Sequence, residues 1–271
     1  MPMNFNVQFN ADRFTGFADV YNTVRPKMPD YVPEMITKYL GRVPENVVDL
    51  GCGTGLSTYA WQGKCRQVTG VEPSGDMIAE ARENAPESVN FIQRFGFDTG
   101  LPGGFADAAV CSQSFHWMDP ETTLPEISRI LKAGGVFATV DNDWPPVCDV
   151  RAELAYQELF KTVRQIEQNR ADIKDSFKRW EKEKHLSNIK NSGLFAYARE
   201  ILFANREKCT SDRLIGLAMS QGSVQKILKT CPGLLAEELG QYEKTIRGVF
   251  GDESFSADFC YRMRIGVKAQ E

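Results

Sequence analysis

The sequence has no apolar stretch near the roughly 18 residues that a bilayer-spanning helix needs, and its mean hydropathy is -0.35. It has no basic surplus, since 32 Lys+Arg stand against 36 Asp+Glu for a formal net charge of -4. A protein that grips nucleic acid by neutralising phosphates is therefore not expected, nor is a membrane protein. Histidine is scarce, with only His116 and His185. The seven cysteines (Cys52, Cys65, Cys111, Cys148, Cys209, Cys231 and Cys260) include no Cys-x-x-Cys pair. That leaves no spacing for a structural zinc, so no metal is expected. An odd, scattered set points to reduced thiols, most of them small core residues, in a cytoplasmic protein. Met1 to Asn6 lacks the basic-then-apolar order of a secretion signal. No internal repeat and no low-complexity segment occurs.

What is present is alternation. Asp30 to Leu40 reads as a helix stopped by Gly41. Val47-Val48-Asp49-Leu50 is a short strand that runs into Gly51-Cys52-Gly53-Thr54-Gly55, and Leu56 to Trp61 opens a helix. Strands follow at Gln67–Val71, Val89–Gln93, Asp107–Cys111 and Val136–Val140. The helices between them span 75–84, with Ser74 as N-cap, and 120–132, where Asp119 caps and Pro120 starts. This spacing predicts a parallel, doubly wound α/β sheet. Beyond about residue 145, Phe160, Val163, Ile166, Ile173, Phe177 and Trp180 recur at helical spacing among mixed charges, a solvated face over a buried stripe. His185 falls in this charged stretch and is expected at the surface. Ala198–Phe203 and Phe259–Val267 read as strands returning to the sheet, with mostly helical structure between them.

Glycines at 51, 53 and 55 let the backbone turn sharply and approach a ligand where a Cβ would clash, and the helix that follows adds oriented N–H groups. Dinucleotide-binding folds use G-x-G-x-x-G. Here the third glycine comes one position early and Asp49 precedes the turn, the pattern for S-adenosylmethionine rather than a pyrophosphate. About twenty residues on, Glu72-Pro73 ends the second strand, where a carboxylate can accept both ribose hydroxyls. A lone strand-end Glu is ordinarily a solvated loop residue, and its spacing from the glycine turn is what raises this one. Met77 packs either against adenine or in the core. The segment Cys111-Ser112-Gln113-Ser114-Phe115-His116-Trp117 follows the fourth strand and should line the reaction crevice. His116 reads either as a general base or as a hydrogen-bonding group that orients the loop. Trp117 would wall the substrate pocket, and Gln113 or Ser114 would contact the cofactor's methionine part.

These motifs, with Asp98-Thr99-Gly100-Leu101-Pro102 and Arg129-Ile130-Leu131-Lys132-Ala133-Gly134-Gly135, resemble class I S-adenosylmethionine-dependent methyltransferases of the small-molecule "type 11" group over about residues 45–141. The details are most similar to the trans-aconitate methyltransferase-like branch. The resemblance implies a mostly parallel, seven-stranded Rossmann-like sheet with an antiparallel last strand and a helical cap insertion. It also implies a lid containing Tyr21 and Arg25 near the cofactor's carboxylate or the substrate. The expected division is a lid segment and first helix at 1–44, a cofactor-binding core at 45–146 and a cap insertion at 147–192. Strands completing the sheet then occupy 193–271, with a further cap part at 211–247. Where relatives carry Ala-Glu or Ala-Asp, this chain reads Gly96-Phe97 and then Asp98, so Phe97 is expected to cover the adenine and Asp98 to take the polar contact. Asp141 to Pro146 echoes an Asn/Asp-Pro-Pro-aromatic motif, but it follows the wrong strand in scrambled order and reads as a turn.

The expected protein transfers a methyl group to a small-molecule acceptor, with a carboxylate oxygen as the specific candidate, as a monomer or homodimer. The alternatives are hydroxyl or ring-carbon methylation with His116 as base, a nicotinamide-dependent oxidoreductase, and a catalytically silent cofactor-binding module.

Overall fold

The structure, a computed structural model, describes residues 24–83, 85–174 and 179–270. Its elements run α1 (Tyr31–Leu40), β1 (Asn46–Leu50), α2 (Leu56–Tyr59), β2 (Gln67–Val71), α3 (Gly75–Arg82), β3 (Val89–Ile92), β4 (Ala106–Ser112), α4 (Pro120–Ile130) and β5 (Leu131–Val147). The chain continues through α5 (Val150–Asn169), α6 (Ala171–Lys174), α7 (His185–Asn191), β6 (Tyr197–Cys209), α8 (Ser211–Met219), α9 (Gly222–Thr230), α10 (Ala236–Phe250) and β7 (Phe255–Val267). The seven strands form one sheet in the order β3-β2-β1-β4-β5-β7-β6, with β7 antiparallel to both its neighbours.

Successive strand residues feed opposite faces of the sheet, because side chains alternate with a period of two. Val47, Ala108 and Val136 join a core with Ile36, Trp61, Leu159 and Ile246, whereas Val48, Ala109 and Phe137 join one with Phe115, Ile127 and Ile189. Both faces are covered, which is why the parallel strands read as unbroken apolar runs. The order reverses between β1 and β4, so the crevice outside their carboxyl ends is the expected ligand position.

Four expectations need correction. Asp141–Pro146 is not a turn: β5 continues to Val147, and its register with β7 is irregular only between Asp143 and Val147. Pro145 and Pro146 lie inside that irregular stretch, where their missing N–H groups interrupt the ladder without ending the strand. Helix α4 stops at Ile130 rather than at 132, and β5 starts at Leu131, five residues before the expected Val136. The stripe from Phe160 to Trp180 is not one helix, since Arg170 is extended (φ -104, ψ 116) between α5 and α6. Phe177 lies outside the described residues. His185 is fully buried, because α7 packs it edge-on against Phe115 at a centroid distance of 4.9 Å.

Candidate functional site

The glycine turn after β1 is built backwards onto β2. The Gly51 and Cys52 amides both donate to the Val71 carbonyl, at 2.7 and 3.2 Å. Gly51, Gly53 and Gly55 all have positive φ (69, 54 and 89). A Cβ on Gly51 would lie 2.6 Å from Ser114 Cβ, whereas one on Gly53 would meet nothing within 4 Å among the described residues. The first glycine therefore serves packing, and the second leaves open space against bare backbone.

Two carboxylates hold this turn. Glu72, 8% exposed at the end of β2, accepts from the Gly53 amide at 3.1 Å and from the Ser74 amide at 2.9 Å. Burial pushes its pKa up against those two bonds, and the Asp49 charge adds to the rise. Ser74 makes no side-chain cap for α3; its amide is held by Glu72 instead. Asp49 is fully buried, and its Oδ2 accepts from the hydroxyls of Ser57 at 2.6 Å and Thr58 at 2.7 Å. Its Oδ1 has no hydrogen-bond partner among the described residues. Burial, only partly offset by the two hydroxyls, raises its pKa to about 6.

The remaining expected cofactor contacts divide. Cys52 is buried, and burial drives its thiol pKa well up. Met77 is 4% exposed on the inner side of α3. The Pro73 carbonyl accepts from Gln93. Phe97 is exposed and stacks on Phe95 at 5.3 Å between centroids. Asp98, also exposed, faces Arg94 at 4.0 Å. Ser114 Oγ donates to the Leu50 carbonyl at 2.6 Å, which latches the post-β4 loop onto the end of β1. Gln113 has a positive φ of 56 and donates from Nε2 to the Val140 carbonyl and to Asn142 Oδ1. Arg25 is not placed at the glycine turn: its guanidinium donates to Ser220 Oγ and to the Ser220 carbonyl and lies 5.4 Å from the centre of the Trp144 ring. Tyr21 lies outside the described residues.

Three features went unread in the sequence. Met118 packs between loops: a Cβ on Gly51 would lie 2.8 Å from its Cε, and one on Gly96 would lie 3.0 Å from its Sδ. Glu126 accepts from the Thr99 amide and hydroxyl and from Arg129, which fixes the loop that carries Asp98. The third is a buried cluster around Asp141, where the loop after β4, β5, β7 and the segment from Lys182 into α7 meet. Its Oδ2 accepts from Arg264 at 2.9 Å and lies 3.1 Å from His185 Nδ1. Its Oδ1 lies 3.1 Å from Lys182 Nζ and 3.6 Å from His116 Nδ1. Neighbouring residues also engage the loop after β4. The Trp180 amide donates to the His116 carbonyl, and the Arg179 guanidinium lies 4.8 Å from the centre of the Trp117 ring. Burial first, then the charge on Lys182, lowers the His116 pKa to about 3, so its ring is neutral near pH 7.

Comparison with known proteins points to methyltransferases. Residues 48–139 match a family model described as a methyltransferase domain. The chain is 30% identical to CRG1 of Saccharomyces cerevisiae, described as a probable S-adenosylmethionine-dependent methyltransferase, over 44% of this chain and 43% of that protein. It is 36% identical to a trans-aconitate 2-methyltransferase of Delftia acidovorans over 36% of this chain and 40% of that one. The chain thus spans about half the length of the curated relatives it matches or less. Among solved structures, a candidate type II methyltransferase from Anaeromyxobacter dehalogenans superimposes with a TM-score of 0.70 at 19% identity, covering 91% of this chain and 99% of that one. Residues 48–139 are thus similar to a methyltransferase domain, and the sheet around them has the fold of a solved methyltransferase-like structure.

Proposed function

We propose that this chain transfers a methyl group from S-adenosylmethionine to a small molecule held above the carboxyl ends of β4 and β5, under the cap helices. The observation that carries this reading is the glycine turn tied down by Glu72, with, among the described residues, open space over Gly53 and no hydrogen-bond partner for the buried Asp49 Oδ1. In this reading Glu72 keeps lone pairs for ribose hydroxyls beside its two backbone amides, and Asp49 Oδ1 favours a cationic group nearby. Met77, Phe97 and Asp98 would border the adenine, and Gln113 and Ser114 the methionine part. The bound cofactor supplies an activated methyl on a sulfonium. The protein's task is then to hold a nucleophile in line, which can lower a barrier by about 7–11 kcal/mol in favourable cases.

Two acceptor classes remain. A carboxylate oxygen needs no base and is supported by the relatives named trans-aconitate 2-methyltransferase. A hydroxyl acceptor would use His116 on the loop after β4, whose neutral ring keeps a nitrogen lone pair for the acceptor's proton although its lowered pKa makes it a weak base. Release of S-adenosylhomocysteine is to be measured over matched panels of carboxylic acids and phenols or alcohols. Turnover restricted to acids, unaffected by His116→Ala, supports the first. Turnover on hydroxyls that falls by about 10²–10⁴ in kcat in that variant supports the second. A folded protein that turns over neither panel contradicts the proposal.

A further inference from the structure

We propose that Asp141 is a positioning residue that fixes the His116 ring as its Nδ1–H tautomer, so that Nε2 presents a lone pair to an O–H or N–H donor of the methyl acceptor. This rests on the hydroxyl reading of the acceptor given above. His116 Nδ1 and Asp141 Oδ1 are both buried; among the described residues Nδ1 has no hydrogen-bond partner, and Oδ1 meets the Lys182 ammonium at 3.1 Å but accepts no well-aligned hydrogen bond. They face each other at 3.6 Å, so a small approach completes the bond. A carboxylate acts only as an acceptor, so the proton of a neutral ring facing it belongs on Nδ1. Such a partner on one ring nitrogen sets the role of the other.

The surroundings explain why a carboxylate is tolerated there. Each Asp141 oxygen faces one imidazole and one cation: His116 and Lys182 on Oδ1, His185 and Arg264 on Oδ2. Arg264 is tied on its far side to Glu200 at 2.8 Å. Lys182 and Arg264 thus face the carboxylates of Asp141 and Glu200, with Arg262 also 3.5 Å from Glu200. Protonating His116 would add a buried charge to a cluster that already holds cations on both Asp141 oxygens. Lys182 also reaches Gln113 Oε1 at 3.4 Å, so the cap residue that balances Asp141 also touches the loop carrying His116. Asp141 therefore orients the ring without making it a strong base.

The test uses the two histidines, which leave only two ring systems to assign. In ¹⁵N-labelled full-length protein near pH 7, the ring-nitrogen shifts of His116, assigned with His116→Ala, should report Nδ1–H alone. Asp141→Asn should shift His116 toward a tautomer mixture. It should also lower kcat on a hydroxyl acceptor by about 10–100-fold with little change in KM or in S-adenosylhomocysteine affinity, and Asp141→Glu should restore part of both. Should Asp141→Asn fail to fold, Lys182→Met removes one of the balancing cations from a partly exposed position. His116 should then stay Nδ1–H but take up a proton at higher pH, with Asp141, Arg264, His185, Arg179 and Glu200 still around it. An Nε2–H ring in the wild type, an unchanged tautomer in Asp141→Asn, or no change of titration in Lys182→Met overturns the proposal. The tautomer is read without turnover, so a protein inactive on every acceptor, or fully active as His116→Ala, removes the functional reading and leaves the positioning claim to the ring shifts.

Discussion

Asp49 shows at a single residue how ligand chemistry can oppose stability. A carboxyl whose pKa is raised in the fold binds its proton more tightly folded than unfolded. The ligand-free protein therefore loses stability as pH rises from the ordinary value of 3.8 through about 6. At pH 7 that cost is of order 3 kcal/mol, since each tenfold gain in proton affinity on folding is worth about 1.36 kcal/mol. Asp49→Asn is expected to raise the Tm of the ligand-free protein at pH 7 while weakening S-adenosylhomocysteine binding, because the removed charge is the one that favours a cation. Wild-type affinity should also decline as pH falls below about 6, and that dependence should vanish in the variant. Calorimetric titration across pH checks both. A variant that binds as tightly as the wild type would sink the role given to Asp49.

At the scale of elements, the Gly51–Gly55 turn was legible because its information is local: a strand, a turn that needs positive φ, and a helix start. The two glycines of the G-x-G pair nonetheless do different work. Gly51→Ala forces a Cβ against Ser114 and Met118 and should cost about 1–3 kcal/mol of stability by overpacking. Gly53→Ala meets no neighbour among the described residues, so it should cost less stability and more ligand affinity. Denaturant unfolding beside ligand titration separates the two, and equal stability losses would contradict the assignment. The Asp141 cluster was illegible for the opposite reason. Its partners His185 and Arg264 are 44 and 123 positions away along the chain, and only the β5–β7 pairing and the docking of α7 bring them together. Seen alone, His185 among charged residues looks like surface, and Pro145-Pro146 looks like the end of a strand.

For the whole molecule, the parallel half of the sheet and the return strands followed from the alternation of apolar runs, although β6 and β7 extend well beyond their apolar centres. The joining of cap and sheet into one core did not. Ile246 and Tyr242 on α10 and Leu159 on α5 belong to the same buried cluster as Val47 and Val136. The cap is therefore expected to unfold with the sheet. Ile246→Ala, which removes a fully buried side chain on α10, should cost about 2–5 kcal/mol and shift one cooperative transition. A separate early transition for the cap, seen in calorimetry or as a split between helix and tryptophan signals, would show that the two are independent.

If the turn held by Glu72 is a cofactor cradle, isothermal titration with S-adenosylhomocysteine tests it most directly. The expected result is one-to-one binding in the micromolar range that is lost in Gly53→Val. There a branched side chain is forced onto a positive φ of 54 and into the open space above the turn. Absence of binding by the folded wild-type protein, or equal binding by a folded Gly53→Val, would contradict the cradle.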